Sequence, residues 1–230
     1  MTTDQLIQQE QVIHAMITRS YVDPTGKADP IYDGVVEPTL YLVAPARILW
    51  ILKEPWDGDD REGGGWSITQ ELLNQQPAKM AKERTHQPII YVTYGVFNQV
   101  WSWTDMPRIR QTPEMAFLLR SIAYINVKKL PGLKQSNNDE ILNAYRASRE
   151  VILQQIDAYK PDYVLGCRPH MSAIMNDLGA KVEDIRTLES VRYAKIGSSV
   201  FLDVYHPCQH TITRARYIND ILHVIANQKA

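Results

Sequence analysis

Largely apolar residues form four short runs in this chain, and between these runs apolar residues recur at helical spacing. Runs of this length predict strands that are buried on both faces of a sheet. They lie at residues 48–52, 123–127, 163–167 and 200–204. Helical spacing occurs at residues 4–19, 112–122, 138–159 and 171–178, and from Thr211 or Thr213 to Ile225. This alternation predicts an α/β fold with three layers, α/β/α, around a mostly parallel four-stranded sheet.

Local signals mark the ends of some elements and leave one segment open. Residues 39–43 predict a short strand that leads into the first long run. Residues 89–94 have the β-branched and aromatic content of a strand, but the residues that follow equally allow a helix, so both assignments stay open. Thr112, and either Asn137 or Asn138, are placed to cap helices.

Composition and charge are those of a soluble globular protein. The chain has 230 residues, of which 44% are hydrophobic and 22% charged, and no linker divides it. We therefore expect a single domain over residues 1–230, in which residues 1–38 form an N-terminal helix and loop extension. No run reaches membrane-span length and the N-terminus lacks the basic-then-apolar layout of a signal peptide, so we expect a cytoplasmic monomer without membrane contact. The formal net charge of −1 leaves any nucleic-acid binding to local basic patches.

Polar residues follow three of the four predicted strands. The first run ends in Lys53-Glu54-Pro55-Trp56, and a loop rich in aspartate and glycine separates it from Trp66-Ser67 and the next helix. The second run ends at Asn126, and His206-Pro207 follows the last run. Because ligands bind at the carboxyl ends of strands in open α/β sheets, we expect Glu54, Asn126 and His206 to meet at one edge.

These segments resemble, in order, the motifs of the uracil-DNA glycosylase superfamily. That family has a glutamine-aspartate-proline-tyrosine run, then a glycine-containing loop and a phenylalanine-serine pair, which correspond here to Lys53-Glu54-Pro55-Trp56 and Trp66-Ser67. An asparagine ends a middle strand, as Asn126 does, and a histidine-proline-serine motif corresponds to His206-Pro207-Cys208. The resemblance extends from Ile48 to the C-terminus through short and inexact motifs, and it implies a uracil-DNA glycosylase-like fold.

The resemblance also implies an activity and a role for each matching residue. The activity is hydrolysis of the N-glycosidic bond of uracil, or of another damaged or mismatched base in DNA, during base excision repair. Glu54 would position the attacking water, Asn126 would hydrogen-bond the extruded base, and His206 would donate to the base as negative charge develops. Trp66 would stack on the base, and Trp56 would lie where the family excludes the thymine methyl group.

The implied partner is DNA, and several basic side chains are placed to contact its phosphates. Lys129 matches a lysine that some branches of the family carry after the asparagine. The full set of predicted phosphate contacts is Lys128, Lys129, Lys134, Arg214 and Arg216. A run of charges is also typical of an ordinary solvated surface.

Other interpretations of the same residues stay open. Asp57, Asp59 or Asp60 could replace Glu54, and the tryptophans could be core residues. The chain could retain the fold but only bind nucleic acid or a nucleobase. It could also be another α/β enzyme in which Gly63-Gly64-Gly65 and the N-terminus of the following helix cradle a nucleotide phosphate, although the lysine-serine or lysine-threonine ending of a P-loop is missing.

Neither a metal nor another cofactor is expected. Cys167 and Cys208 cannot by themselves form a four-cysteine metal or iron–sulfur site. The acidic residues between Asp57 and Glu62 could hold a divalent cation, but loop aspartates more often bind none.

Overall fold

The computed structural model describes residues 1–58 and 60–229, and a mixed sheet runs through its centre. The strands are β1 (Gly34–Val35), β2 (Ile48–Leu52), β3 (Ala123–Asn126), β4 (Tyr163–Cys167), β5 (Arg186–Leu188), β6 (Val191–Ile196) and β7 (Ser199–Val204). In the sheet they follow the order β1-β3-β2-β4-β7-β6-β5. The fold class is therefore α/β, with a mixed seven-stranded sheet.

The four strands predicted from the apolar runs are β2, β3, β4 and β7, and all four are parallel. The prediction that the sheet has only four strands is wrong. β1 pairs antiparallel with β3, and a hairpin of β5 and β6 pairs antiparallel with β7. β1 has only two residues, β5 is largely exposed, and β6 is only partly buried, so none of them carries a continuous apolar run.

Helices cover both faces of this sheet. The α-helices are α1 (Thr3–Ser20), α2 (Pro38–Val43), α3 (Ile68–Asn74), α4 (Pro77–Met80), α5 (His86–Asn98), α6 (Asn138–Tyr159), α7 (His170–Asp177) and α8 (Arg214–Lys229). Shorter 3-10 helices lie at Trp103–Asp105, Pro113–Ser121 and Val182–Asp184. Among the described helices, none combines the length and the apolar character that crossing a bilayer requires.

Several local predictions can be compared with these elements. Residues 39–43 lie in α2 rather than in a strand, because proline at its first position favours a helix start. Residues 89–94 lie in α5, so the helical assignment is the right one there. Thr112 precedes a 3-10 helix and makes no side-chain cap, whereas the Asn137 Oδ1 accepts two amide hydrogens at the start of α6. Thr213 likewise accepts from a backbone N–H in the first turn of α8.

The side chains of β2 alternate between two apolar cores. Ile48, Trp50 and Leu52 pack in the core that includes α3, α4, α5 and α8. Leu49 and Ile51 pack in the opposite core, which includes α1, α6 and α7. Because both faces of the strand are covered, its sequence is a continuous apolar run instead of an alternating one. This two-sided packing gives the three layers that the sequence predicts.

Candidate functional site

One cleft at the carboxyl edge of the sheet collects most of the predicted site residues. Because β2, β3 and β7 belong to the parallel part of the sheet, the residues that follow them meet at the same edge. The cleft has a volume of about 730 Å³, which is in the range of small-molecule sites. The predicted residues that line it are Glu54, Trp56, Trp66, Asn126, Lys134 and His206.

His206 is held in the form of a neutral N–H donor. Its Nδ1 accepts a hydrogen bond from the backbone N–H of Cys208 at 3.2 Å. In a neutral ring this assigns the proton to Nε2. Burial, together with the positive charge of Lys53, lowers the pKa of His206 to about 4, so the imidazole is uncharged at neutral pH.

Asn126 is fixed through its backbone while its side chain lines the cleft. The residue is only 2% exposed. Its N–H donates to Asp33 Oδ2 at 2.7 Å, and its carbonyl oxygen accepts from Lys129 Nζ at 2.8 Å. Within the described residues, no partner hydrogen-bonds to the side-chain amide. The amide therefore offers one donor group and one acceptor to a ligand in the cleft.

Glu54 lies in the wall of the cleft with its side chain only 3% exposed. Its Oε2 accepts from Lys128 Nζ at 2.9 Å. The side chain packs directly on Gly132, where an added Cβ would be 2.2 Å from the Glu54 Cδ. The Gly132 N–H also donates to the carbonyl oxygen of Pro55 at 2.7 Å. The loop after β3 therefore fixes the position of this carboxylate.

Asp57 holds the loop that carries Trp66. Its Oδ2 accepts from the Trp66 indole N–H and from the Gly64 N–H, both at 2.8 Å. Of the alternatives to Glu54, Asp57 also lines the cleft, but its Oδ2 is occupied by these two hydrogen bonds. Asp60 does not line the cleft. Asp59 lies outside the described residues.

Trp56 and Trp66 differ in their placement. Trp66 is half-buried and packs against the apolar core on the side of α3. Trp56 is 58% exposed, so much of its ring faces solvent although it lines the cleft. Trp56 is therefore placed at the mouth of the cleft, and neither ring is a fully buried core side chain.

The glycine run has no free amide for a phosphate. Gly63, Gly64 and Gly65 all have positive φ angles. Their N–H groups donate to the Lys27 carbonyl, to Asp57 Oδ2 and to the Pro30 carbonyl, respectively. These three amides are therefore not available to a phosphate, because each donor already has a partner inside the protein.

The predicted basic rim is largely absent. Lys129 is completely buried, with its Nζ at 2.7 and 2.8 Å from the two carboxylate oxygens of Asp33, so its assignment to DNA contact is wrong. Lys128 is mostly buried and is paired with Glu54. Arg216 forms an ion pair of 3.6 Å with an aspartate one turn later in α8. Of the five predicted phosphate contacts, Lys134 alone lines the cleft.

Arg214 lies in a second groove of about 550 Å³, and Cys208 lines both this groove and the cleft. Arg84 lines the same groove and contacts the Nε2 of His210 at 2.8 Å, while Arg214 hydrogen-bonds to Gln87. Neither partner is a carboxylate. Among the described residues that line the groove there is no aspartate or glutamate. The groove therefore provides positive charge beside the cleft.

Several residues that line the cleft were not predicted from the sequence, among them two aromatic side chains. His86 and Tyr124 line the cleft with their rings 6.3 Å apart in an edge-to-face arrangement. Burial lowers the pKa of His86 to about 4, so its ring is also neutral at pH 7. Tyr124 precedes Asn126 by two residues, and this spacing places both side chains on one face of β3. His86 belongs to a polar segment that has no comparable signal.

Within residues 1–58 and 60–229, no group of three or more His, Cys, Asp or Glu side chains is arranged to hold a metal ion. The chain matches no protein-family model and no curated protein.

Proposed function

We propose that the protein hydrolyses the N-glycosidic bond of uracil, or of another damaged or mismatched base, in DNA. The observation that carries the proposal is that the neutral His206 donor, the free amide of Asn126 and the Glu54 carboxylate line one cleft. The aromatic ring of Trp66 lines the same cleft and provides a surface on which a flipped base can stack.

Each step of the hydrolysis has a group to support it. The Asn126 amide binds the hydrogen-bonding edge of the base and so favours its extruded position. The base leaves with the electron pair of the glycosidic bond, and the Nε2–H of His206 donates to the oxygen on which the negative charge develops. The water oxygen bonds to the sugar carbon, and Glu54 accepts the proton that the water loses.

Glu54 retains one carboxylate oxygen for the water. Its ion pair with Lys128 uses Oε2, and within the described residues Oε1 has no hydrogen-bond partner. The ion pair fixes the side chain against the loop after β3, so its free oxygen keeps one orientation. Such fixation favours a reaction that needs a positioned water molecule.

DNA binding is supported by the groove next to the cleft. Arg84 and Arg214 place two positive charges there without a neighbouring carboxylate from the described lining residues. A strand that enters this groove brings its phosphates to the arginines while the adjacent nucleotide occupies the cleft. Lys79 and Lys134 add positive charge inside the cleft itself.

A second candidate function is binding of a nucleobase or nucleic acid without hydrolysis. The observation in its favour is the low exposure of the Glu54 side chain and its ion pair with Lys128. Both restrict the access of a water molecule to this carboxylate. In that case the cleft recognises the base through Asn126 and Trp66, and no abasic site is formed.

The test is single-turnover cleavage of labelled oligonucleotides that contain uracil, hypoxanthine, xanthine, or a G·T or G·U mismatch. On the best substrate, we expect His206→Ala to reduce the rate about a hundredfold or more. Glu54→Gln slows cleavage with little change in affinity, whereas Asn126→Ala weakens both. His223→Ala and Glu150→Gln remove exposed side chains of the same kinds outside the cleft and serve as matched controls.

The outcomes separate the two functions. Base release by the wild type, lost in the His206 variant and retained in the controls, supports the glycosylase. If enzyme in excess releases no base from any substrate but binds oligonucleotides in a way that depends on Asn126, the binding function replaces it. Cleavage that is unchanged by all three cleft substitutions contradicts the proposed site.

A further inference from the structure

A completely buried ion pair contacts the backbone of Asn126 from both sides. Asp33 and Lys129 are both 0% exposed, and the Lys129 Nζ lies within 2.8 Å of both Asp33 carboxylate oxygens. Asp33 Oδ2 also accepts the Asn126 N–H at 2.7 Å, and Lys129 Nζ also donates to the Asn126 carbonyl at 2.8 Å. Asp33 therefore binds the backbone N–H of Asn126, and Lys129 binds its backbone carbonyl oxygen.

The geometry of the sheet explains why Asn126 needs these partners. The Val127 N–H bonds to β2, so the backbone groups of the neighbouring Asn126 point toward β1. β1 has only two residues and pairs with Ala123 and Tyr124, so none of the described strands reaches Asn126 on that side. The ion pair supplies the two hydrogen bonds that a longer strand would have made.

Further contacts connect the ion pair to the helices on this face of the sheet. The Gln155 amide of α6 donates to Asp33 Oδ1 at 3.0 Å. The Tyr21 hydroxyl donates to the carbonyl of Val127 at 2.7 Å, and its ring lies 5.9 Å from the Lys129 Nζ. The end of β3 is thereby bonded to elements that lie behind the sheet, away from solvent.

Stability alone is a poor explanation for this ion pair. Removing two charges from water is costly, and apolar replacements of buried ion pairs are often neutral or stabilising. A fixed geometry is the better-supported use of such a pair. Here the fixed atoms belong to the residue whose amide lines the cleft.

We propose that Asp33 and Lys129 are positioning residues that set the orientation of the Asn126 amide in the cleft. Neither side chain touches the substrate, and both act through the Asn126 backbone. The consequence for base recognition rests on the proposed function, whereas the effect on the amide itself does not. In this proposal Lys129 acts in the protein interior and not as a phosphate contact at the surface.

The test is the paired substitution Asp33→Leu with Lys129→Met, which removes both charges together and leaves no single buried charge. We expect a folded protein whose cleavage rate, or whose affinity for a base-containing oligonucleotide, falls about tenfold or more. The same pair in an Asn126→Ala background has little further effect, because both changes act on one group. Lys27→Met with Glu62→Leu removes an exposed ion pair and serves as the matched control.

An NMR measurement keeps the inference separate from the proposed function. The side-chain amide signal of Asn126, assigned by its loss in Asn126→Ala, shifts or broadens in the paired variant and not in the control, whether or not the wild type cleaves DNA. If the paired variant does not fold, the second variant is Asp33→Asn with Lys129→Met, which retains one acceptor for the Asn126 N–H. In this variant we expect a smaller shift of the Asn126 amide signal in the same direction. An unchanged Asn126 signal in either folded variant overturns the inference. The inference is also overturned if the paired substitution reduces function as much in the Asn126→Ala background as in the wild type.

Discussion

Glu10 is expected to make the protein less stable as the pH rises. Its side chain, in α1, is 13% exposed and accepts a hydrogen bond from the Val35 N–H at 3.2 Å. Burial raises the pKa of Glu10 from 4.5 to about 7, although hydrogen bonds from Tyr159 and Val35 act in the opposite direction. Asp33 raises this pKa further and Lys129 lowers it.

The sign and size of the effect follow from this pKa. At pH values between 4.5 and about 7 the folded protein keeps a proton on Glu10 that the unfolded chain has lost. The stabilising contribution is therefore complete below pH 4.5 and is lost as the pH rises through about 7. At about 1.4 kcal/mol per pH unit, this interval corresponds to about 3 kcal/mol of unfolding free energy.

Because His14 also titrates differently in the folded protein, the contribution of Glu10 must be measured as the difference between the wild type and a Glu10 variant. Its Nε2 lies 3.5 Å from the Glu10 Oε2, and burial lowers the pKa of His14. A lowered histidine pKa gives a stability that rises with pH, which is opposite to the effect of Glu10. The total pH dependence of the wild type therefore mixes both groups. Comparison with Glu10→Gln isolates the contribution of the carboxyl group, because glutamine retains an acceptor for Val35.

The assay is urea unfolding of the wild type, Glu10→Gln and Glu150→Gln from about pH 4.5 to pH 8.5. Relative to the wild type, Glu10→Gln should gain about 3 kcal/mol over this range. Glu150 is exposed on α6, and its variant should follow the wild-type curve. Parallel curves for the wild type and Glu10→Gln would refute the assigned pKa. Such parallel curves would show that Glu10 is already ionised in the folded protein over this pH range.

Two further predictions concern the cleft. Gly132→Ala places a Cβ 2.2 Å from the Glu54 Cδ, so it should reduce single-turnover cleavage about ten- to a hundredfold. It should add little in a Glu54→Gln background, and additive losses would mean that Gly132 acts elsewhere. His206 has a pKa lowered to about 4, so its ring resonances in an NMR titration should not change between about pH 5.5 and pH 8. Titration near pH 6.5 would contradict the burial and the tautomer of His206.

The parallel part of the sheet and the position of the cleft could be predicted from the sequence. Both depend on strands that are covered on two sides, and such strands appear as apolar runs with polar residues at their carboxyl ends. The antiparallel strands could not be predicted in this way. β6 has one partly exposed face, and β1 consists of two residues, so neither has a length or a period that the pattern can detect.

Lys128 and Lys129 show why the position of an individual side chain could not be predicted from the sequence. They are adjacent and chemically identical, yet Lys128 bonds to Glu54 at the cleft and Lys129 lies fully buried behind β3. The partner of Lys129 is Asp33, which is 96 residues away in the chain. Local sequence contains no information about that contact, because it depends on how α1 and the following loop pack against the sheet.

The antiparallel hairpin of β5 and β6 also affects how the sheet ends. Without it, the almost completely buried strand β7 would expose an edge of unpaired backbone groups, on which another chain could add a strand. The outermost strand is instead β5, which has three residues and begins with an exposed arginine. The opposite edge is the two-residue β1. Both ends of the sheet are therefore too short to template further strands, which protects its apolar centre from edge-to-edge aggregation.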